Sequence, residues 1–321
     1  MAGTITHTYF SKDVYKKLDE KSKNNIKGYE GSFELFSQGH DIFFFNCNRK
    51  TSSLGKYFHK NNTQDFFINI VKYIVNNNLK DNKEIMSYLY GYICHYALDS
   101  TIHPYVTYKG GYYNKKKKET IKYNGKHSDI ESYIDAYMIN KHENIEPNKL
   151  NLRKFCFNNK KLSNDLIKLI NEVFKETYNY ENMGNKYKRC ITNMRISYSL
   201  LRNDKYGIKK KAYIFLDKIT PKSFQRFSPI SLKYKLNKNY YYLNLDHRKW
   251  NHPRYKDETY TLSVLDLYNN ACDLSLNLIN SVNDVIYNNK DINSLKKVFK
   301  NISFSSGKDC NDNTKNKYFE Y

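Results

Sequence analysis

Three residues of one segment are spaced to act together. His95, Asp99 and His103 recur every fourth position between Gly91 and Pro104. On an α-helix a step of four residues rotates by only about 40°, so all three side chains would leave the same side. His127, Glu131 and Asp135 form a second row with the same spacing, and Asp41 (after Gly39-His40) and His59 lie upstream. Imidazole and carboxylate are the donors that suit zinc where thiolate is absent. Thiolate is not on offer here: Cys47, Cys94, Cys156, Cys190, Cys272 and Cys310 are scattered, with no C-x-x-C spacing, which also argues against a disulfide scaffold. A buried carboxylate without a partner costs several kcal/mol, so a row on a helix this apolar must pair or hold a cation. Two helices that each offer histidine and carboxylate one turn apart can hold two or more ions, and paired zinc ions supply activated water for hydrolysis at neutral pH. Any one of these residues taken alone is more commonly a hydrogen-bonded core histidine or a helix-surface pair. Both rows, together with Asp41 and His59, favour a metal centre.

The elements that must position these rows are helical. The spacing predicts a first helix after Ser11, with Ser11 as N-cap and Val14, Tyr15 and Leu18 on one face. Further helices are expected over Tyr29 to Phe36 and from Thr63, where Phe66, Phe67, Ile70, Val71 and Ile74 share a face. The next runs from Lys83 to Ile102; it is apolar almost all round and therefore buried, and Pro104 marks its end. Ser128 to Asn140 carries the second row. A polar loop from Tyr108 to Lys126 joins the two ligand-bearing helices and so passes near the centre. Beyond it, helices are expected over Leu162 to Thr177, Tyr187 to Leu201, Lys210 to Asp217 and Leu262 to Val285. Thr220 to Tyr260, with Pro221, Pro229 and Pro253, is irregular, and the tail after Phe304 is expected to fray. No internal repeat is visible. The fold class is all-α, a multi-helix bundle with an elaborated helical second half. One domain is expected over 1–304, divided into a metal-binding half (1–145) and a helical extension (146–304), followed by a polar tail (305–321).

Composition narrows the partners. With 40% hydrophobic and 16% aromatic residues the chain is not disordered. It has no run of about 18 apolar residues, and Met1 to His7 carries no charged leader, so a cytoplasmic protein is the expectation. The net charge of +22 favours anionic partners such as phospholipid headgroups, phosphate esters or nucleic acid. The chain is also enriched throughout in Lys, Asn, Ile and Tyr, with 32 tyrosines against five prolines, the residues of A/T-rich codons. That bias is given more weight, and the clusters Lys115 to Lys118 and Lys209 to Lys211 are read as solvated loops or helix ends.

The order Thr6-His7, Gly39-His40-Asp41, His59, Gly91-x3-His95-x3-Asp99-x3-His103-Pro104 and His127-x3-Glu131-x3-Asp135 resembles the zinc-dependent phospholipase C family, whose fold the fungal single-strand nucleases share. The resemblance covers roughly residues 5 to 140. In the second half, Asn244 to Pro253 followed by Leu265-Asp266-Leu267-Tyr268 looks like a segment of non-secreted members. The resemblance implies an all-α fold and two or three zinc ions. Asp41, His59, His95 and Asp99 would hold one ion, and His103, His127 and Glu131 a second. Asp99 would bridge to a third, held by His7 and the chain's own terminal amine. Secreted members supply that amine from a tryptophan; here the only tryptophan is Trp250, and a free Ala2 amine takes its place. The Asp99 to His103 spacing is also shorter than in the secreted enzymes. By the same resemblance Asp41 is the general base, and the substrate is a phospholipid headgroup or another phosphate diester, met at a membrane surface. A nuclease on the same fold (nucleic acid being the less favoured partner) or a non-catalytic metal-binding protein are the alternatives. Asp135 is expected to orient His127. His40 should point away from Asp41, His142 should serve helix-terminal carbonyls, and His247 and His252 should stand apart from the site. Phe43, Phe44 and Phe45 are read as core.

Overall fold

Lys83–Gly110 forms one continuous helix, buried along nearly its whole length, and the other elements pack around it. The computed structural model describes residues 3–45, 49–201, 204, 206–224 and 226–320. In chain order its helices are α1 (Thr4–Lys17), α2 (Glu20–Asn25), α3 (Glu30–Phe36), α4 (Arg49–Phe58), α5 (Thr63–Asn76), α6 (Lys83–Gly110), α7 (Lys126–Glu143), α8 (Leu152–Cys156), α9 (Asn164–Tyr178), α10 (Met183–Leu201), α11 (Ile208–Ile219), α12 (Val264–Asn288) and α13 (Leu295–Val298). The fold is all-α. The two-residue strands Trp250–Asn251 and Thr259–Tyr260 pair antiparallel within the irregular span. No described helix is long and apolar enough to cross a membrane.

The expected helices form, with three instructive differences. First, α1 begins at Thr4 rather than after Ser11. Its first turn is capped through space: the Asp135 carboxylate on α7 accepts from Thr6 N at 2.9 Å and Thr6 Oγ1 at 2.8 Å. Ser11 lies inside the helix and donates back to Thr8 O. Helix-start rules look for a cap in the preceding few residues, and this one comes from 129 residues away.

Second, α6 does not stop at Pro104 but runs on to Gly110. A proline there cannot donate to the carbonyl four residues back, which is that of Ser100. Residue Gly307 closes on that carbonyl so tightly that a Cβ on it would stand 2.6 Å from Ser100 O. Burial of the continuing turn (Tyr105, Val106) against the rest of the core offsets the lost bond.

Third, the tail is not frayed. Ile302 pairs with Asp309, Lys317 N and Tyr318 N reach Pro253 O, and Glu320 N reaches Tyr108 O. The Glu320 carboxylate lies 2.6 Å from Lys109 Nζ. A polar segment can be ordered when main-chain pairing, rather than apolar burial, satisfies its backbone.

Two helices brace α6 on either side. α12, from the second half, starts with a capping box between Ser263 and Asp266 and packs along it. α3 lies against Gly91, where an added Cβ would stand 2.7 Å from Phe33 O and 2.8 Å from Phe36 Cβ. Gly91→Ala would gain about 1 kcal/mol in helix propensity but must push α3 away. The expected outcome is a net loss of about 1–3 kcal/mol, measured by denaturant unfolding; equal or greater stability would show that α3 yields freely.

Candidate metal centre

Five segments deliver the predicted residues to one place. α6 presents His95, Asp99 and His103 along its buried side, α1 brings His7, the 3-10 turn Gly39–Phe45 brings Asp41, the end of α4 brings His59, and α7 brings His127 and Glu131. Gly39 makes the turn's approach possible. It sits at φ +50, and a Cβ there would stand 2.2 Å from the His95 ring, so only glycine lets the backbone pass.

Asp99 is the hub. Its carboxylate is 3.2 Å from His7 Nε2, 3.5 Å from His95 Nε2 and 3.7 Å from His103 Nδ1. His59 Nε2 lies 3.2 Å from Asp41 Oδ1. On the α7 side, Glu131 Oε1 is 2.8 Å from His127 Nε2 and 3.6 Å from His103 Nε2. Four groups bring their ligand atoms within 4.8 Å of one another: His7, Asp41, His95 and Asp99; His40, Asp41 and His59; His59, Asp99 and His103; and His103, His127 and Glu131. The last group coincides with the set implied for a second ion. In the first, His7 stands beside Asp41, His95 and Asp99, whereas His59 was expected there. Met1 and Ala2, the terminal part of the implied third site, lie outside the described residues.

The donor chemistry fits cations. His95 makes no hydrogen bond from either ring nitrogen, and neither His7 Nδ1 nor His103 Nε2 has a hydrogen-bond partner, although all are buried. Buried polar atoms are nearly always satisfied, so several orphan nitrogens facing carboxylates call for something between them. Two ligands of a tetrahedral zinc ion stand about 3.3 Å apart, and the spacings of 3.2 and 3.5 Å from Asp99 to His7 Nε2 and His95 Nε2 are of that size.

Electrostatics point the same way. Burial pushes the His40, His59 and His95 imidazoles well below their ordinary range, which leaves them neutral, the form that binds metal. Burial opposes the charge on Asp99, but His103, His95 and His7 hold its carboxyl well below the usual range. Burial, and then the neighbouring Asp99 charge, push Asp41 well above it. Burial likewise works against Glu131, yet His127 and His103 help draw it down to about 2. Two carboxylates in one dry basin cannot both ionise cheaply without a cation.

Some residues depart from expectation. His40 does not point away: it is fully buried, its Nε2 lies 3.9 Å from Asp41 Oδ1, and its ring packs edge-on against His59 and His95. The Gly39 turn folds inward, so consecutive residues 40 and 41 both face the centre. Asp135 binds Thr6 rather than orienting His127. His142 stacks on Tyr9 and lies 3.3 Å from Asp13 Oδ2 instead of serving helix-terminal carbonyls. His247, on the surface, approaches Asp266. Phe43 packs in the core against Phe58, Phe174 and Tyr187.

The support that sequence reasoning missed is the segment Ser303 to Gly307. Phe304 O lies 2.8 Å from His103 Nδ1, Phe304 N donates to His59 O at 2.9 Å, and Ser305 Oγ stands 3.4 Å from His59 Nδ1. With Nδ1–H donating to a carbonyl, His103 keeps the Nε2 lone pair toward Glu131 and His127. Such outer contacts fix ligand tautomer and orientation. Two of the three use main-chain atoms of the segment, and nothing in Ser-Phe-Ser-Ser-Gly announces them.

The zinc dependent phospholipase C family matches residues 6–183, over half of the 321 residues, and the chain belongs to that family. No curated protein and no solved structure matches the chain. The matched range includes all eight predicted metal-type residues and ends well before the Ser303 to Gly307 support. Gly307→Val, at φ +61 and against Ser100 O, should dislodge that support. We expect zinc affinity to fall about 10–100-fold in competition with a chromogenic chelator, with helical content retained by circular dichroism. Unchanged affinity would show the segment to be packing alone.

Proposed function

We propose that the chain is a zinc-dependent hydrolase of phosphate diesters, phospholipase C-like, acting on a phospholipid headgroup at a membrane surface. One observation carries the reading: eight histidine and carboxylate side chains from five segments converge in the interior, with orphan ring nitrogens between them. His7, Asp41, His59, His95, Asp99, His103, His127 and Glu131 would hold two or three ions. Zinc bound there would lower the pKa of a coordinated water toward about 7, polarise the phosphate oxygens and favour the ionised form of Asp41.

Asp41 is the general base. Its carboxylate is steadied by His59 Nε2 at 3.2 Å, and it takes the proton from the attacking water. His127 marks the edge at which substrate enters: its side chain is 36% exposed, while the other seven are 8% or less. A centre open at one edge suits the compact phosphate of a headgroup. The +22 charge supports the second reading, a nuclease.

The assay offers phosphatidylcholine dispersions and single-stranded DNA in zinc-replenished buffer. Release of phosphorylated headgroup, abolished by chelator and restored by zinc, is the expected result. Strand cleavage without headgroup release, falling steeply with salt, would favour the nuclease. Full metal occupancy with neither reaction would overturn hydrolysis in favour of a metal-binding protein. Asp41→Asn should lower kcat by about 10²–10⁴, and native mass spectrometry of Glu131→Ala should show one ion fewer than the parent protein.

A further inference from the structure

α11 is turned inside out. In a packed helix the apolar stripe faces the core, but here Ile208, Phe215 and Ile219 are 69%, 61% and 63% exposed. Their spacing of seven and four residues places them within about 40° of one another around the helix axis, so they form one outward ridge. Lys211 and Lys218, both exposed, flank it along one side. Phe224, just past the helix, is 58% exposed and extends the apolar surface.

The opposite face holds the helix to the body through polar groups. The Asp217 carboxylate, the one buried side chain of α11, accepts from Phe227 N, Ser228 N and Ser228 Oγ at 2.6 to 2.9 Å. Lys210 Nζ donates to Ser231 Oγ at 2.9 Å. The ridge is therefore presented outward by a built anchor.

We propose that this ridge is a docking surface for a membrane bearing anionic lipid. Apolar side chains flanked by lysine are the arrangement that lies in the interface, with rings and branched chains among the acyl ends and ammonium groups at the phosphates. Charge decides the occupant. Two copies meeting across this ridge would bring Lys211 and Lys218 toward their equivalents on a chain of net charge +22, whereas an anionic surface matches both the flanks and the whole molecule.

Position adds to this. The segment that follows the ridge packs on the approach to His127: Asn124 Nδ2 donates to Lys222 O at 2.7 Å and Phe224 O at 2.8 Å. Gly125, at φ +85, lies against Arg226 and Pro229. Docking thus engages the stretch of chain beside His127, the most exposed of the described residues of the candidate centre.

The surface is tested apart from any hydrolysis, on chelator-treated full-length protein sedimented with phosphatidylcholine vesicles, with and without phosphatidylserine. We expect binding to the anionic vesicles, weakened about tenfold or more in Phe215→Ser/Ile219→Ser. Lys211→Gln and Lys218→Gln should each weaken it about fivefold. All these side chains are exposed, so thermal unfolding should be unchanged. Failure of the parent protein to bind, or equal binding by the double variant, would overturn the proposal. So would light scattering that shows a dimer dissociated by the double variant, since the occupant would then be a second copy. Vesicle binding without headgroup release leaves docking standing and removes only the lipase reading.

Discussion

Everything near the centre follows from placing an ionised aspartate in a dry helix interior. Asp99 lies at zero exposure on α6, surrounded by His7, His95 and His103 at 3.2 to 3.7 Å. The three imidazoles favour the charged carboxylate, but the same burial that makes the charge costly pushes the His95 ring well below its ordinary range. A neutral ring can offer one N–H, but it cannot cancel a charge in a medium of low polarity. The buried histidine and carboxylate groups could hold metal ions, and an ion beside Asp99 would call for further ligands. This accounts for the convergence of α1, the Gly39 turn, the end of α4 and α7 on one side of α6, and for the tight packing at Gly39 and Gly91 that allows it.

The centre was legible in the sequence because its largest part is local. Rows at four-residue spacing on helices need no knowledge of tertiary structure, since helix geometry alone aligns His95 with Asp99 and His103, and His127 with Glu131. His7, Asp41 and His59 came from motif order. The contacts that run through space were not legible. Asp135 keeps the four-residue spacing from Glu131, yet its carboxylate accepts from Thr6, 129 residues away, and caps α1. His40, expected to point away from its neighbour Asp41, is instead turned inward with it by the 3-10 turn Gly39–Phe45. Pro104 was read as a stop because helix rules count only the lost bond, while tertiary burial decides whether the helix goes on.

The second half of the chain packs directly on the elements that carry the candidate centre. α12 lies along α6, and the Ser303 to Gly307 turn reaches back to His59 and His103. Those contacts lie outside the residues that match the family. Their form explains why a sequence pattern does not carry them: a carbonyl oxygen is the same in every residue, so only glycine at position 307, where the backbone presses on Ser100, leaves a trace in residue type.

Charge shows most clearly how a fold changes the meaning of a sequence. A run such as Lys209 to Lys211 carries little information by itself in a chain with 54 basic residues, and composition alone favours reading it as solvated. Its helix supplies the missing context. Lys210 turns inward to bind Ser231, while Lys211 lies beside the exposed Phe215 and Ile219. Two adjacent lysines thus do different work, one fastening the helix and one edging an apolar surface. A large exposed apolar surface often marks an interaction site, and the buried, triply hydrogen-bonded Asp217 that holds the ridge outward is what supports the proposed membrane contact.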